Sequence, residues 1–407
     1  MNIKTKIRMS VENLLNRYGY ALEKKYKLKR GTVEYDILME EQEYPFDEAA
    51  YRAHKEGGEP ITLNWVIPLM GPGSGGHTTI FRTISYLSEL GIKNKIYMCW
   101  YAGNAATSEE LRAQVKQYYG YDLGDNEIYW DYRTMGYADG CVCTSWQSAY
   151  VLRRFHNCLS KFYFVQDFEP WFYPMGSMYH LSEKTYHFGF RGVTAGLWLA
   201  SKLQSEYGMK TAGFRFSYER NRYHFGEKKD QTPRVFFYAR PYTARREFEI
   251  GTMALDMVAK QIPELEVVMA GQSISDYPFG FKCIDKGIMP PDQMSDVYSQ
   301  CDMCLVLSAT NMSLLPIEVM ASGSVVVSDG GDNNTWELNE QNAILTEDDP
   351  WDIADKIVYY LNHKEELAPL RTYGKEYADS ITWKSEMEKI AGFIRTSIEE
   401  DRTKRGK

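Results

Sequence analysis

Long apolar runs are missing from this 407-residue chain. None approaches the ~20 consecutive apolar residues of a membrane-spanning helix, so no such helix is expected. The first residues are basic but carry no apolar core or cleavage site, so no secretion signal is expected. Cysteine is sparse and odd in number, seven in all. Cys301 and Cys304 form a C-x-x-C, and Cys141 and Cys143 a C-x-C. Neither has a second pair at zinc spacing, so buried thiols in a reducing compartment are the expectation. Net positive charge is confined to the first residues. The net charge is −8, yet residues 1–30 hold nine Lys/Arg and two Glu, a balance of +7. The remainder therefore carries −8 − 7 = −15, which argues against general nucleic-acid binding.

What is present is alternation. Strand-like apolar runs occur at Leu63–Leu69, Lys95–Trp100, Gly140–Thr144, Phe162–Gln166 and Gly192–Ala195. A second series follows at Val235–Tyr238, Leu265–Ala270, Met303–Leu307 and Val325–Ser328. Amphipathic helical patterns lie between them, including His77–Leu90, Arg245–Lys260 and Leu314–Ser322. This order predicts an α/β protein with parallel sheets covered by helices. The polar stretch Glu227–Thr232 before Pro233 marks a boundary between two α/β halves. A last helix, Trp383–Glu399, comes after the second half is complete and is free to pack back across the first. Ligands of such folds bind where carboxyl ends of strands face a crevice.

Two segments of the second half carry the strongest chemistry. VFFYARPYTARR, Val235 to Arg246, sets Arg240 at a strand end and Arg245 in the expected first turn of a helix. Cations there oppose the helix dipole, and a bound anion offsets that cost. Planar guanidinium groups suit phosphate, although two surface arginines paired with Glu247 or Glu249 would look the same. In the second segment, Ser308 to Gly331, a polar loop leads into a short helix near Ser313 that ends at Gly323. The backbone N–H groups of Ser313, Leu314 and Leu315 then form an anion site. Glu318 is a lone acid among apolar residues, one turn on, which implies pairing or function.

These residues resemble the donor half of retaining GT-B glycosyltransferases of glycosyltransferase family 4. Arg240 and Arg245 look like the Arg and Lys of its G-R-x-x-x-x-K. PIEVMASGSVVVSD looks like its L-E-A-M-A-x-G-x-P-V-V-x-S-D. GSGGHTTIFR, VQDFEPWFYPMGS and FYARPYTARR together are most similar to the WsaF-type bacterial rhamnosyltransferases. The resemblance covers residues 60–395 and departs at two places. Thr310 stands where the family has a Glu, and Gln166 where it has a catalytic His.

The resemblance implies a GT-B fold, two Rossmann-like domains facing across a cleft with the C-terminal helix crossing back. Residues 1–59 are then a basic helical extension and 60–228 the acceptor-binding domain. Residues 229–382 bind the nucleotide-sugar donor, and 383–407 form the last helix and a basic tail. It further implies transfer of L-rhamnose from dTDP-L-rhamnose to a cell-surface glycan, with a lipid-linked acceptor among the options. Arg240 and Arg245 would hold the diphosphate, Glu318 the sugar of the nucleotide, and Gly287 to Met289 the base. Ser313, Leu314 and Leu315 would cap the phosphates. With Asp167, the two arginines are the catalytic candidates. Retaining enzymes of this kind generally need no metal. No D-x-D stands at a strand end, and Asp348–Asp349 lie in a late acidic loop, so neither metal nor cofactor is expected. A UDP-sugar donor and a non-enzymatic sugar-nucleotide or glycan-binding module are the alternatives.

The first half supplies the acceptor candidates. QDFEPWFYPMGS follows a strand, and aromatic faces pack on sugar C–H groups while carboxylates bind hydroxyls. Gln166, Asp167, Glu169 and Trp171 are its candidates, with at least two of the rings Phe168, Trp171, Phe172 and Tyr173 expected in the core. Gly71, Gly73 and Gly76 match the dinucleotide fingerprint G-x-G-x-x-G. A nicotinamide site also needs an acid at the end of the next strand, and YMCWY has none. The loop is therefore read as one wall of the cleft, with Gly73, Gly75, Gly76 and His77 facing the arginines, His77 either reaching the cleft or capping its helix. Finally, Val11, Leu15, Tyr18, Leu22 and Tyr26 form an apolar stripe with basic flanks. It suits an anionic membrane surface or packing on its own domain, so the expected location is cytoplasmic, with peripheral contact at the inner membrane face an option.

Overall fold

The computed structural model describes residues 32–99, 106–275 and 277–406. The apolar stripe with basic flanks in residues 1–30 lies outside them. The chain divides into two units, 1–41 and 42–407. In the first, the helix Val33–Met39 begins after Thr32, whose side chain accepts the Tyr35 N–H. Everything that follows concerns the second unit.

Two parallel sheets form from the apolar runs. The first contains β1 (Thr62–Ile67), β2 (Lys93–Met98), β3 (Glu127–Tyr129), β4 (Ala138–Cys143), β5 (Cys158–Val165), β6 (Arg191–Ala195) and β7 (Thr211–Phe214). Their order is β3-β2-β1-β4-β5-β6-β7. The second contains β8 (Arg234–Tyr238), β9 (Glu266–Ala270), β10 (Lys282–Asp285), β11 (Met303–Leu305), β12 (Val325–Asp329) and β13 (Ala343–Thr346), in the order β10-β9-β8-β11-β12-β13. Every pairing is parallel, as helical crossovers require. β1 and β4 are buried at every position, because helices cover both faces. The strand order reverses between β1 and β4 and between β8 and β11. The loops leaving those strands therefore flank a crevice in each sheet.

Helices start and stop where their caps dictate. Ser74 caps the helix Gly75–Glu89, its hydroxyl accepting the His77 N–H. The helix Leu315–Ser322 ends at Gly323, in the left-handed region at φ 87°. A Cβ there would stand 2.8 Å from the Gly226 carbonyl oxygen, so both backbone shape and space demand glycine.

The two halves share one apolar core. It runs from β1 and the helix Gly75–Glu89 through Phe214, Phe216, Tyr218 and Tyr223 into the second half. The last helix, Trp383–Arg405, returns across the first half and packs on β5, β7 and the helix Gly75–Glu89. Its buried residues Trp383, Met387, Ile390, Ile394 and Ile398 recur at helical spacing and make one face. Each buried side chain of that size contributes about 1.5–3 kcal/mol before entropy is counted. Near its end, Asp401 accepts two hydrogen bonds from Arg191, at 2.6 and 2.8 Å, and one from Ser160 Oγ at 2.8 Å.

Burial raises the Asp401 carboxyl, but the Arg191 hydrogen bonds prevail and hold it down at about 2. Its folded value is below the unfolded one, so its stabilisation is complete above pH ~4 and lost as pH falls through about 2. Asp401→Asn is expected to lower unfolding free energy by about 1–2 kcal/mol near pH ~7, after allowance for solvent screening. Denaturant titrations should show the difference from wild type closing in acid.

Candidate active site

Strand ends of the first sheet meet one loop of the second. β5 runs out into Gln166 and Asp167, β6 into Gly196, and β11 into residues 306–311. Asp167 Oδ2 accepts from Thr310 Oγ1 at 3.0 Å. Its Oδ1 accepts the N–H of Asn311 at 3.0 Å and of Phe168 at 2.9 Å. Burial pushes the Asp167 carboxyl above the usual aspartate range, and Arg245, the Asn311 N–H, Arg246 and Thr310 pull against it. The buried Asn311 side chain donates to the carbonyls of Gln166 at 2.9 Å and Ala195 at 2.6 Å. Both halves thus join at the carboxyl ends of β5 and β6.

Arg245 completes this group. Its Nε lies 3.4 Å from Asp167 Oδ2, and its guanidinium carbon sits 4.5 Å from the Phe172 ring centroid. The buried Nε–H has no aligned hydrogen-bond acceptor. The expected helix Arg245–Lys260 starts later than its periodicity implies. Ala244–Arg246 form a separate 3-10 turn, and the helix proper is Phe248–Gln261. Glu247, with φ 49° and ψ 44°, separates them because left-handed backbone cannot continue a right-handed helix. The turn is tied to the β11 loop instead. The Arg245 carbonyl accepts the Ala309 N–H at 3.0 Å, and Arg246 Nη1 donates to Ser308 Oγ at 2.8 Å. Arg240 donates to the Gly271 carbonyl at 2.9 Å and acts on Arg246 by charge.

Other donor-side candidates occupy the same half. Gly287 adopts φ 60°, and its N–H donates to Asp285 Oδ1 at 2.8 Å. Met289 packs partly buried nearby. The short helix starts at Leu315 with Leu314 as its cap, and the Leu315 N–H reaches Ser313 Oγ at 3.4 Å. Burial raises the Glu318 carboxyl to about 7, against a hydrogen bond from Tyr223 and the charge of Arg82. Glu247, Asp329 and Asp348 bring carboxylate oxygens within 4.8 Å of one another, a spacing compatible with a cation. Asp329 is at the same time a loop brace, accepting the Ser308 N–H at 3.1 Å and the Asn334 amide.

On the first half, the candidates divide. Gly73 takes φ 74°, and Gly73 and Gly75 have open space where a Cβ would stand. Gly76 packs on the Gln166 side chain, 3.4 Å from the place of its missing Cβ. His77 is buried with both ring nitrogens engaged, Nδ1 with Ser74 Oγ at 2.8 Å and Nε2 with the Pro68 carbonyl at 3.2 Å. Burial lowers its pKa. Glu169 turns inward, accepting the Trp146 N–H at 2.9 Å and the Tyr163 hydroxyl at 2.7 Å. Trp171 is 42% exposed and lies 5.8 Å from Trp198. The structure therefore joins Asp167, Arg245, Gln166 and Gly76, and leaves His77 and Glu169 outside that group. Asn311 and Phe172 were not singled out as site residues. The polar loop marked Asn311's region, but nothing local shows which strand ends its amide reaches.

Residues 233–358 match the family described as the WsaF C-terminal domain. The O-antigen biosynthesis protein RfbC of Myxococcus xanthus is 28% identical over 352 residues. That alignment covers 84% of this chain but only 28% of the relative's own length. Among solved structures, sucrose-phosphate synthase from Thermosynechococcus elongatus superposes with a TM-score of 0.61 at 13% identity, covering 83% of this chain and 98% of that one. Anabaena Alr3699/HepE, solved with UDP and glucose, gives 0.59 at 12% identity, with 83% and 99% covered. The fold is GT-B.

Burial raises Glu169 to about 7, above its unfolded value of ~4.3. A raised carboxyl loses stabilisation as pH climbs from the unfolded to the folded value. Glu169→Gln is therefore expected to gain thermal stability relative to wild type between pH ~4.5 and about 7. Glu169→Ala should cost about 2–3 kcal/mol by leaving the Trp146 N–H and Tyr163 hydroxyl unpartnered. Thermal unfolding across pH tests both.

Proposed function

We propose that this protein is a glycosyltransferase of cell-surface polysaccharide or O-antigen biosynthesis, moving a sugar from a nucleotide-sugar donor to a glycan acceptor. The observation that carries this reading is the meeting of Asp167 from one half with Arg245 from the other, beside a buried Nε–H without an aligned acceptor. The match to the WsaF C-terminal domain over the donor half supports it. The donor is dTDP-L-rhamnose, and transfer retains configuration at the sugar carbon without a metal ion.

In this reading Arg240 and Arg245 receive the diphosphate, with the N–H groups of 313–315 beside it. Charge grows on the leaving phosphate oxygen as the glycosidic bond breaks, and fixed guanidinium groups stabilise it there. The acceptor hydroxyl attacks from the same face and passes its proton to that oxygen. Glu318 binds the ribose and Gly287–Met289 the base. Asp167 orients the acceptor, which rests against Trp171 and the Gly73–His77 loop.

A thermal-shift panel of dTDP, UDP, GDP, ADP and NAD tests the donor. Stabilisation by dTDP, lost in Arg240→Ala and Arg245→Ala, is the expected result. Stabilisation by UDP instead transfers the reading to another sugar, and Arg240→Ala with unchanged turnover and donor affinity would sink the phosphate assignment. Turnover should survive EDTA.

The segment 1–30, with its apolar stripe and basic flanks, is proposed to contact anionic lipid, which suits a lipid-linked acceptor. Co-sedimentation with anionic liposomes should fall when residues 1–30 are deleted, and equal binding rejects the contact.

A further inference from the structure

We infer that Thr310 and Asn311 of the second half are positioning residues for Asp167, so that this carboxylate is assembled only where the two halves meet. The role of Asp167 in transfer rests on the proposed function, but its assembly does not.

The geometry is specific. Two of the three hydrogen bonds to the Asp167 carboxylate come from the opposite half, the Thr310 hydroxyl at 3.0 Å and the Asn311 N–H at 3.0 Å. The Phe168 N–H, at 2.9 Å, is the donor from its own half. Thr310 and Asn311 are themselves almost fully buried, so water does not replace them cheaply. Asn311 fixes the register of the contact, because its amide reaches the carbonyls at the ends of both β5 and β6. The loop behind it is braced in turn. Ser308 Oγ donates to the Asn311 carbonyl at 2.8 Å, and the Asn333 amide bonds the carbonyls of Ser308 and Thr310. A hydroxyl at 310 therefore meets the carboxylate with a donor, whereas a carboxylate at 310 would meet it with like charge.

The other groups around Asp167 do not supply this pairing. Arg245 lies 3.4 Å from Oδ2 without an aligned bond, and Arg246 acts by charge while donating to Ser308. Tyr186 bonds the Asp167 main-chain oxygen at 3.5 Å, and Glu169 adds negative charge from within the first half. Thr310 is the one side chain among these with a hydrogen bond to the carboxylate.

The test needs no substrate. Thermal unfolding of the full chain is followed from pH ~4.5 to pH ~8 for wild type, Thr310→Val, Thr310→Ser and Thr310→Glu, each also in an Asp167→Asn background. A donor to the carboxylate stabilises it more strongly while Asp167 is ionised. Thr310→Val should therefore fall below wild type by about 2 °C at the alkaline end, and the gap should narrow as the pH drops. Thr310→Ser should track wild type. Thr310→Glu should be the least stable at high pH and should recover when Asp167 is replaced by Asn. A Thr310→Val deficit that is independent of pH and survives in the Asp167→Asn background would mean packing alone, and overturns the inference. So would Thr310→Glu unaffected by the Asp167 replacement. Where turnover is measured, the acid limb of the pH profile should move to higher pH in Thr310→Val and return in Thr310→Ser. Loss of nucleotide binding in the arginine variants tests the proposed function separately and leaves this result untouched.

Discussion

The burial of one aspartate between the two halves holds the candidate site together. A carboxylate removed from water needs compensating donors, and Asp167 finds most of them in the opposite half. That requirement sets the loop after β11 against the ends of β5 and β6, with Asn311 as the second fastening. It also draws the Ala244–Arg246 turn inward, since the Arg245 carbonyl is bonded to the same loop. The cationic and anionic members of the candidate site are thus held by one contact rather than by two separate pockets.

A second arrangement makes this contact possible. The linking residues Phe214, Phe216, Tyr218 and Tyr223 and the returning C-terminal helix belong to a core shared by both halves. Arg215 ties that region to Glu337 at 3.2 Å, and the Glu386 carboxylate on the last helix accepts the Arg215 N–H. Apolar burial supplies the bulk of the cohesion, while these polar bonds fix the relative geometry. A site built from two domains needs both, because its groups must stay close in a fixed arrangement.

Much of the fold was legible in the chain. All nine apolar runs read as strands are strands, and the short helix ends at Gly323 as its sequence implies. The four strands without a clear signal, β3, β7, β10 and β13, are the four sheet edges. They are three or four residues long, too short to show a period, and β3, β7 and β10 are only partly enclosed, as edge strands often are. The start of the helix at Phe248 was not legible for a different reason. Arg245 and Arg246 suit a helix well enough, and the break lies in the left-handed backbone of Glu247, a residue type that seldom adopts it.

The side chains show the same division. Residue types and spacing marked Asp167, Glu169, His77 and the arginines as candidates, because polar groups past strand ends usually face a crevice. Local pattern carries the period of burial and the caps, so the two α/β halves, their order and the chemistry at their strand ends were determined by the sequence. Direction was decided only in three dimensions. Asp167 and Glu169 are two residues apart, yet one carboxylate meets the opposite half and the other closes on Trp146 and Tyr163. His77 spends both nitrogens on its own loop, while the unremarked Asn311 spans the two halves. Each outcome depends on partners more than a hundred residues away or on which face of a turn is enclosed, and no local pattern encodes that.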